Sequence, residues 1–172
     1  MTDVDPKEFM NRMYDSISVE LEKIKFLFPD EQDPVLTIHR GHLLSEYYLD
    51  KIITLNLNFE EMVSKKENLS FKQKVTLVEN MAFLPDSVIR SLNNLNKVRN
   101  SLAHELEAKI ETDEIIKIFE PMGKEFRKIK EKYSDHIGNF LEQALNLIFR
   151  DLHGHIFWLE QKKAQEKDRE TS

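Results

Sequence analysis

The chain has 172 residues, with 25 lysines and arginines against 31 aspartates and glutamates and a formal net charge of −6. That length suits one domain with a real core, and 40% apolar with 33% charged residues is the balance of a folded chain, not a disordered one. The acidic balance argues against a broad basic nucleic-acid surface but leaves room for a local one, while the lack of cysteine excludes disulfides, thiolate nucleophiles and cysteine-ligated zinc.

Only four glycines and five prolines are present, so long regular elements with few tight turns are expected. The opening "MTDVDPKEFM" is acidic and lacks the apolar core of a signal peptide. No apolar run approaches the roughly 20 residues that cross a bilayer. With no cysteine, the expectation is a cytoplasmic chain with no membrane partner.

Met10, Met13, Ile17, Leu21, Ile24 and Phe28 recur at helical spacing and predict a first helix from Asp5 to Phe28, with Pro6 in its first turn. "FPDEQDP" breaks that pattern. A second helix begins at Asp33 or Pro34 and runs to about Leu57, carrying Leu36, Leu43, Leu44, Tyr47, Tyr48, Ile52 and Ile53 as a wide apolar stripe. "NLNFEEMVSKKENL" reads as a polar connection. Ser70 is a plausible cap for a third helix with Phe71, Val75, Val78 and Met81 inward.

Pro85 and Asp86 open a fourth helix, "PDSVIRSLNNLNKVRNSLAHEL". Thr112 or Asp113 caps a fifth that runs to about Lys132. Ser134 or Asp135 caps a sixth that ends near Gln161. Residues 162–172 are expected to form a charged, frayed tail. No strand-like alternation, repeat or linker stands out. The predicted architecture is a single all-α domain over residues 1–161, an up-and-down bundle of five or six helices.

The fourth helix carries the feature that needs explaining. On a wheel of about 100° per residue with Val88 at zero, Leu92 falls near 40°, Leu95 near −20° and Leu102 near −40°. Arg99 falls near 20°, inside that apolar stripe. A charge buried alone costs several kcal/mol, so Arg99 is expected to face a cleft, an interface or a carboxylate. Asn96, Asn100, Asn93 and His104 fall between roughly 80° and 160°, an uncharged polar edge beside it. A plain structural ion pair between Arg99 and Glu46 of the second helix is the bland alternative.

"RNSLAH", Arg99 to His104, resembles the RNxxAH form of the Rx4-6H motif of HEPN domains. "RGHLLSEYYLDKII", Arg40 to Ile53, resembles the helix that precedes the motif in prokaryotic members, and Leu69 to His104 resembles their helix, proline turn and motif helix. The resemblance covers roughly Val35 to Leu106. It implies an all-α up-and-down bundle, and either a metal-independent endoribonuclease or a noncatalytic binding or regulatory module. It assigns Arg99 and His104 to the catalytic pair and Asn100 to a supporting position, in a cleft between two copies of the chain. Glu46 is added as a supporting residue from its place on the neighbouring helix, and Arg40 and Asn96 as RNA contacts. The implied partners are a second copy of the chain, RNA, and a cognate antitoxin or nucleotidyltransferase.

These residue types suit the chemistry. Cleavage without a metal makes the ribose 2′-hydroxyl attack the adjacent phosphate, which needs a proton acceptor, a proton donor and positive charge on the phosphorane. Histidine exchanges protons near neutral pH. Arginine presents a fixed fork of donors to phosphate oxygens. DNA has no 2′-hydroxyl, so RNA selectivity is implied.

No metal or cofactor is expected. His39 and His42, three apart in "IHRGHLL", lack further ligands at matching spacing. Gly154, between His153 and His155, points to a helix packed close by, and Phe157 and Trp158 to core or interface. The lysines of "SKKENLSFKQK" read as solvated surface or phosphate contacts. Phosphate loops, nucleophile elbows, HExxH and a DNA-reading helix-turn-helix are all missing from the sequence.

Overall fold

The computed structural model describes residues 5–25, 28, 33–56, 69–81, 84–105, 107 and 109–170. Two long helices, α2 (Pro34–Asn56) and α7 (Ile137–Glu170), form its centre. Gly41 sets how closely they approach: a Cβ added there would lie 2.7 Å from Leu145 Cδ2, inside van der Waals contact. The helices meet through Tyr48, Leu49, Ile52, Leu145, Ile148 and Phe149, all buried, as the burial of one stripe of each helix requires.

The remaining helices pack around that pair. α1 (Pro6–Lys25) lies on α7. Tyr48 donates its buried hydroxyl to Glu20 Oε1 at 2.9 Å, and Ser16 and His153 share a 3.0 Å hydrogen bond, which fixes α1 against both central helices. α3 (Phe71–Asn80) bridges α2 and α4 (Asp86–Leu102). Its start is a reciprocal cap: Ser70 Oγ accepts from the Gln73 N–H, and Gln73 Oε1 accepts from the Ser70 N–H at 2.9 Å. α5 (Thr112–Phe119) packs on α4, and α6 (Lys124–Tyr133) on α7. Among the described residues there are seven α-helices and no strand, so the chain is an all-α helical bundle.

Four expectations change. The single fifth helix divides into α5, a 3₁₀ turn over Glu120–Met122, and α6. Pro121 has no N–H to donate, and Gly123 takes a φ of 66°, a left-handed value that favours glycine. The cap of α5 is also one residue earlier than expected, Glu111 in place of Thr112 or Asp113, and its N–H donates to Glu114 Oε2 at 3.0 Å. The charged end expected to fray continues α7 through Glu170, with Lys162 and Glu166 paired at i, i+4. Finally, the stripe assigned to α2 is divided: Tyr48, Ile52 and Ile53 are buried, while Leu36, Leu43 and Tyr47 face outward and Ile38 and Leu49 take their place in the core. α2 is apolar on more than one side, so periodicity alone did not choose its inner face. Leu57 and most of the polar connection after Asn56 lie outside the described residues.

Candidate functional site

α4 positions the motif. Val88, Leu92, Leu95 and Leu102 are buried as the wheel requires, and they turn the Arg99 side of the helix toward the bundle. Arg99 is half-buried, and its Nη1 donates to Asn100 Oδ1 at 3.2 Å. Ala103 closes the helix, its N–H reaching the Arg99 carbonyl at 3.1 Å. His104 therefore sits in the turn beyond α4. Its backbone N–H donates to the Ser101 carbonyl at 3.1 Å, and its ring is exposed. The structure joins Arg99 to Asn100 and leaves His104 at an open edge, without a side-chain hydrogen bond among the described residues.

The imidazole that does meet this edge is His42 of α2. His42 is 5% exposed, lies against the Phe71 ring with centroids 4.0 Å apart, and donates Nε2–H to Asn96 Oδ1 at 3.0 Å. That bond fixes the tautomer, because an amide oxygen only accepts. Nδ1 is then the bare nitrogen, and it is buried without a hydrogen-bond partner among the described residues. Burial pulls the His42 pKa below its usual value, the Asn96 hydrogen bond partly offsets this, and the positive charge of Arg99 lowers it further. His42 is thus a neutral ring that couples α2 to the Asn96 and Arg99 turns of α4. Sequence reasoning weighed it only as half of a metal pair. Its spacing of four from Ile38 and seven from Leu49, both on the inner face of α2, was the available signal.

Glu46 does not reach Arg99. Its carboxylate pairs at 2.8 Å with Lys74 Nζ of α3, which also holds Asp50 at 2.9 Å. The structural ion pair considered for Arg99 is therefore replaced by a different one. Lys74 is 5% exposed. Burial pulls its pKa down, but the hydrogen bonds and charges of the two carboxylates outweigh that and raise it. The ammonium stays charged inside the α2–α3 contact. Glu46 still lies within electrostatic reach of His42, which its charge favours in the protonated form.

The asparagine edge opens onto a groove of about 880 Å³ between α3, α4 and α5. Asn93, Asn94, Asn96, Lys97 and Lys117 are among the residues that line it. Asn94 Nδ2 donates to the Lys117 carbonyl at 2.9 Å, tying α5 to α4 along one side. Arg40 is half-buried on α2 and belongs to no part of this groove. No group of three or more histidine or acidic residues among the described ones is placed to hold a metal ion.

No family model, curated protein or solved structure matches the chain. What the site can do rests on its own residues: a guanidinium and amides on α4, a buried imidazole brought in from α2, and an exposed imidazole in the turn that follows α4. No described helix is long and apolar enough to cross a membrane.

Proposed function

We propose that the chain is a metal-independent endoribonuclease of the HEPN type, acting as a dimer. The observation that carries this reading is Arg99, half-buried on the apolar side of α4 and hydrogen-bonded to Asn100, while His104 stands exposed five residues on. In this role the Arg99 guanidinium holds the scissile phosphate and offsets the charge that builds on it. The 2′-oxygen bonds to phosphorus as the bond to the 5′-oxygen breaks. One imidazole takes the 2′-hydroxyl proton and another returns a proton to the leaving 5′-oxygen, giving a 2′,3′-cyclic phosphate and a 5′-hydroxyl.

A single chain presents one His104, so the second proton-transfer group comes from a second copy. The outward stripe of α2 supports that pairing: Leu36, Leu43 and Tyr47 are 42%, 62% and 52% exposed and share one helix face. His42 and Asn96 act as positioning residues that hold the motif helix against α2. The reading further proposes a toxin or defence setting with an antitoxin or nucleotidyltransferase partner, and a cytoplasmic location.

The test uses RNA in excess EDTA with the parent, Arg99→Ala and His104→Ala, each checked for its fold by circular dichroism. Cleavage by the parent alone supports the reading, and cleavage by all three rejects it. Leu43→Glu should give a folded monomer that no longer cuts.

One observation favours a second reading, a noncatalytic HEPN-like binding module: Arg99 bonds Asn100, and no side-chain hydrogen bond among the described residues joins it to His104. On that reading the parent binds RNA or a partner protein and leaves RNA intact.

A further inference from the structure

The groove beside the motif has a charge balance unlike the rest of the chain. Lys72 of α3, Arg90 and Lys97 of α4 and Lys117 of α5 line it, against the carboxylates of Glu79 and Glu120. Across the whole sequence, basic residues are outnumbered 25 to 31. Lys72, Lys97 and Lys117 enter no ion pair among the described residues, whereas Lys23, Lys25, Lys74 and Arg150 all do. Arg90 makes only an exposed 3.5 Å contact with Asp86. These cations come from three separate stretches of sequence and are brought together by the fold.

Along α4, Arg90, Asn93, Lys97 and Asn100 are separated by three, four and three residues, so they follow one face of the helix. At about 1.5 Å per residue that row is about 15 Å long, and it points toward the turn that holds His104. Asn96, which lines the groove, has its Oδ1 engaged by His42, so its Nδ2 hydrogens are the part left for a ligand. The row suits an extended ligand with repeated negative charge. A stacked strand carries one phosphate per roughly 3.4 Å, so 15 Å spans about four or five nucleotides.

We infer that this groove binds the sugar–phosphate backbone of single-stranded RNA and leads it along α4 to the Arg99–His104 turn. The inference rests on the nuclease reading for what happens at the end of the track, but binding in the groove does not depend on it. No aromatic ring lines the groove among the described residues, so stacking contributes little and affinity comes from phosphate contacts and amide hydrogen bonds. Binding is then steeply salt-dependent and weakly sequence-dependent. With three or four phosphates contacted, the slope of log K against log salt is about −2 to −3.

The experiment is a salt titration of the full chain with a labelled 2′-O-methyl RNA 10-mer, which this mechanism does not cut. Lys97→Glu with Lys117→Glu should weaken binding at least about tenfold and flatten the slope by about 1.4. Lys163→Glu on the distal part of α7 should change neither, and circular dichroism melts check that each variant folds. Affinity and slope unchanged in the double variant overturn the inference, as does a polyglutamate peptide that displaces the RNA at equal charge concentration. Groove-dependent binding with no cleavage of ordinary RNA rejects the nuclease reading alone. Cleavage at the parent rate by the double variant rejects the groove alone.

Discussion

Lys74→Met tests the best-defined polar contact in the bundle. Its ammonium is 6% exposed along the side chain and bonds Glu46 at 2.8 Å and Asp50 at 2.9 Å. Removing one partner of a buried ion pair costs about 3–5 kcal/mol, because the other charge stays buried and unpaired. Here both carboxylates keep 29% exposure, so water takes up part of that loss. They are also left as like charges one helical turn apart on α2. The expected destabilisation is about 2–3 kcal/mol, equivalent to a fall in Tm of about 5–10 °C for a domain of this size.

Urea unfolding followed by circular dichroism gives the number directly. Lys74→Met combined with Glu46→Gln and Asp50→Asn removes the orphaned charges and should recover more than half of the loss. The folded pKa of Lys74 is raised, so its contribution is present in full below about 10.5 and is lost as pH rises through the folded value. The parent should therefore lose stability in that alkaline range more steeply than the single variant. A single variant as stable as the parent, or a triple variant no better than the single, refutes the reasoning.

Other outcomes follow from the same structure. Burial lowers the pKa of His42, His153 and His155, so the unfolded chain binds protons that the folded one does not, and stability should fall as pH drops below about 6.5. Acid titrations of thermal melts check this, and His153→Gln should make the fall shallower. Gly41→Val forces a side chain against Leu145 at the α2–α7 contact and should cost about 1–3 kcal/mol in urea unfolding.

Apart from α2, which is apolar on more than one side, the helices were legible because their apolar residues form one stripe, and the fourth one clearly so: its leucines and Val88 marked the buried face on which Arg99 falls. The break between α5 and α6 was equally written in "EPMG", where Pro121 and Gly123 stand two residues apart, but the flanking helical pattern outweighed it. What sequence did not reveal depends on which helix faces meet. Lys74 looked like one more lysine in a solvated run, and only the approach of α3 to α2 makes it a buried ion. His42 meets Asn96 across 54 positions of sequence. His104 shared the α4 wheel on paper, yet Ala103 ends the helix first and moves its ring out of that register.

The most direct test of the ribonuclease account is the chemistry of the cut ends. Single-stranded RNA incubated with the full chain in excess EDTA should yield fragments with 2′,3′-cyclic phosphate and 5′-hydroxyl ends, and one 2′-deoxy substitution should protect the bond that follows it. Fragments with 5′-phosphate ends, cleavage at the deoxy position, or RNA left whole by the parent protein would contradict the roles given to Arg99 and His104.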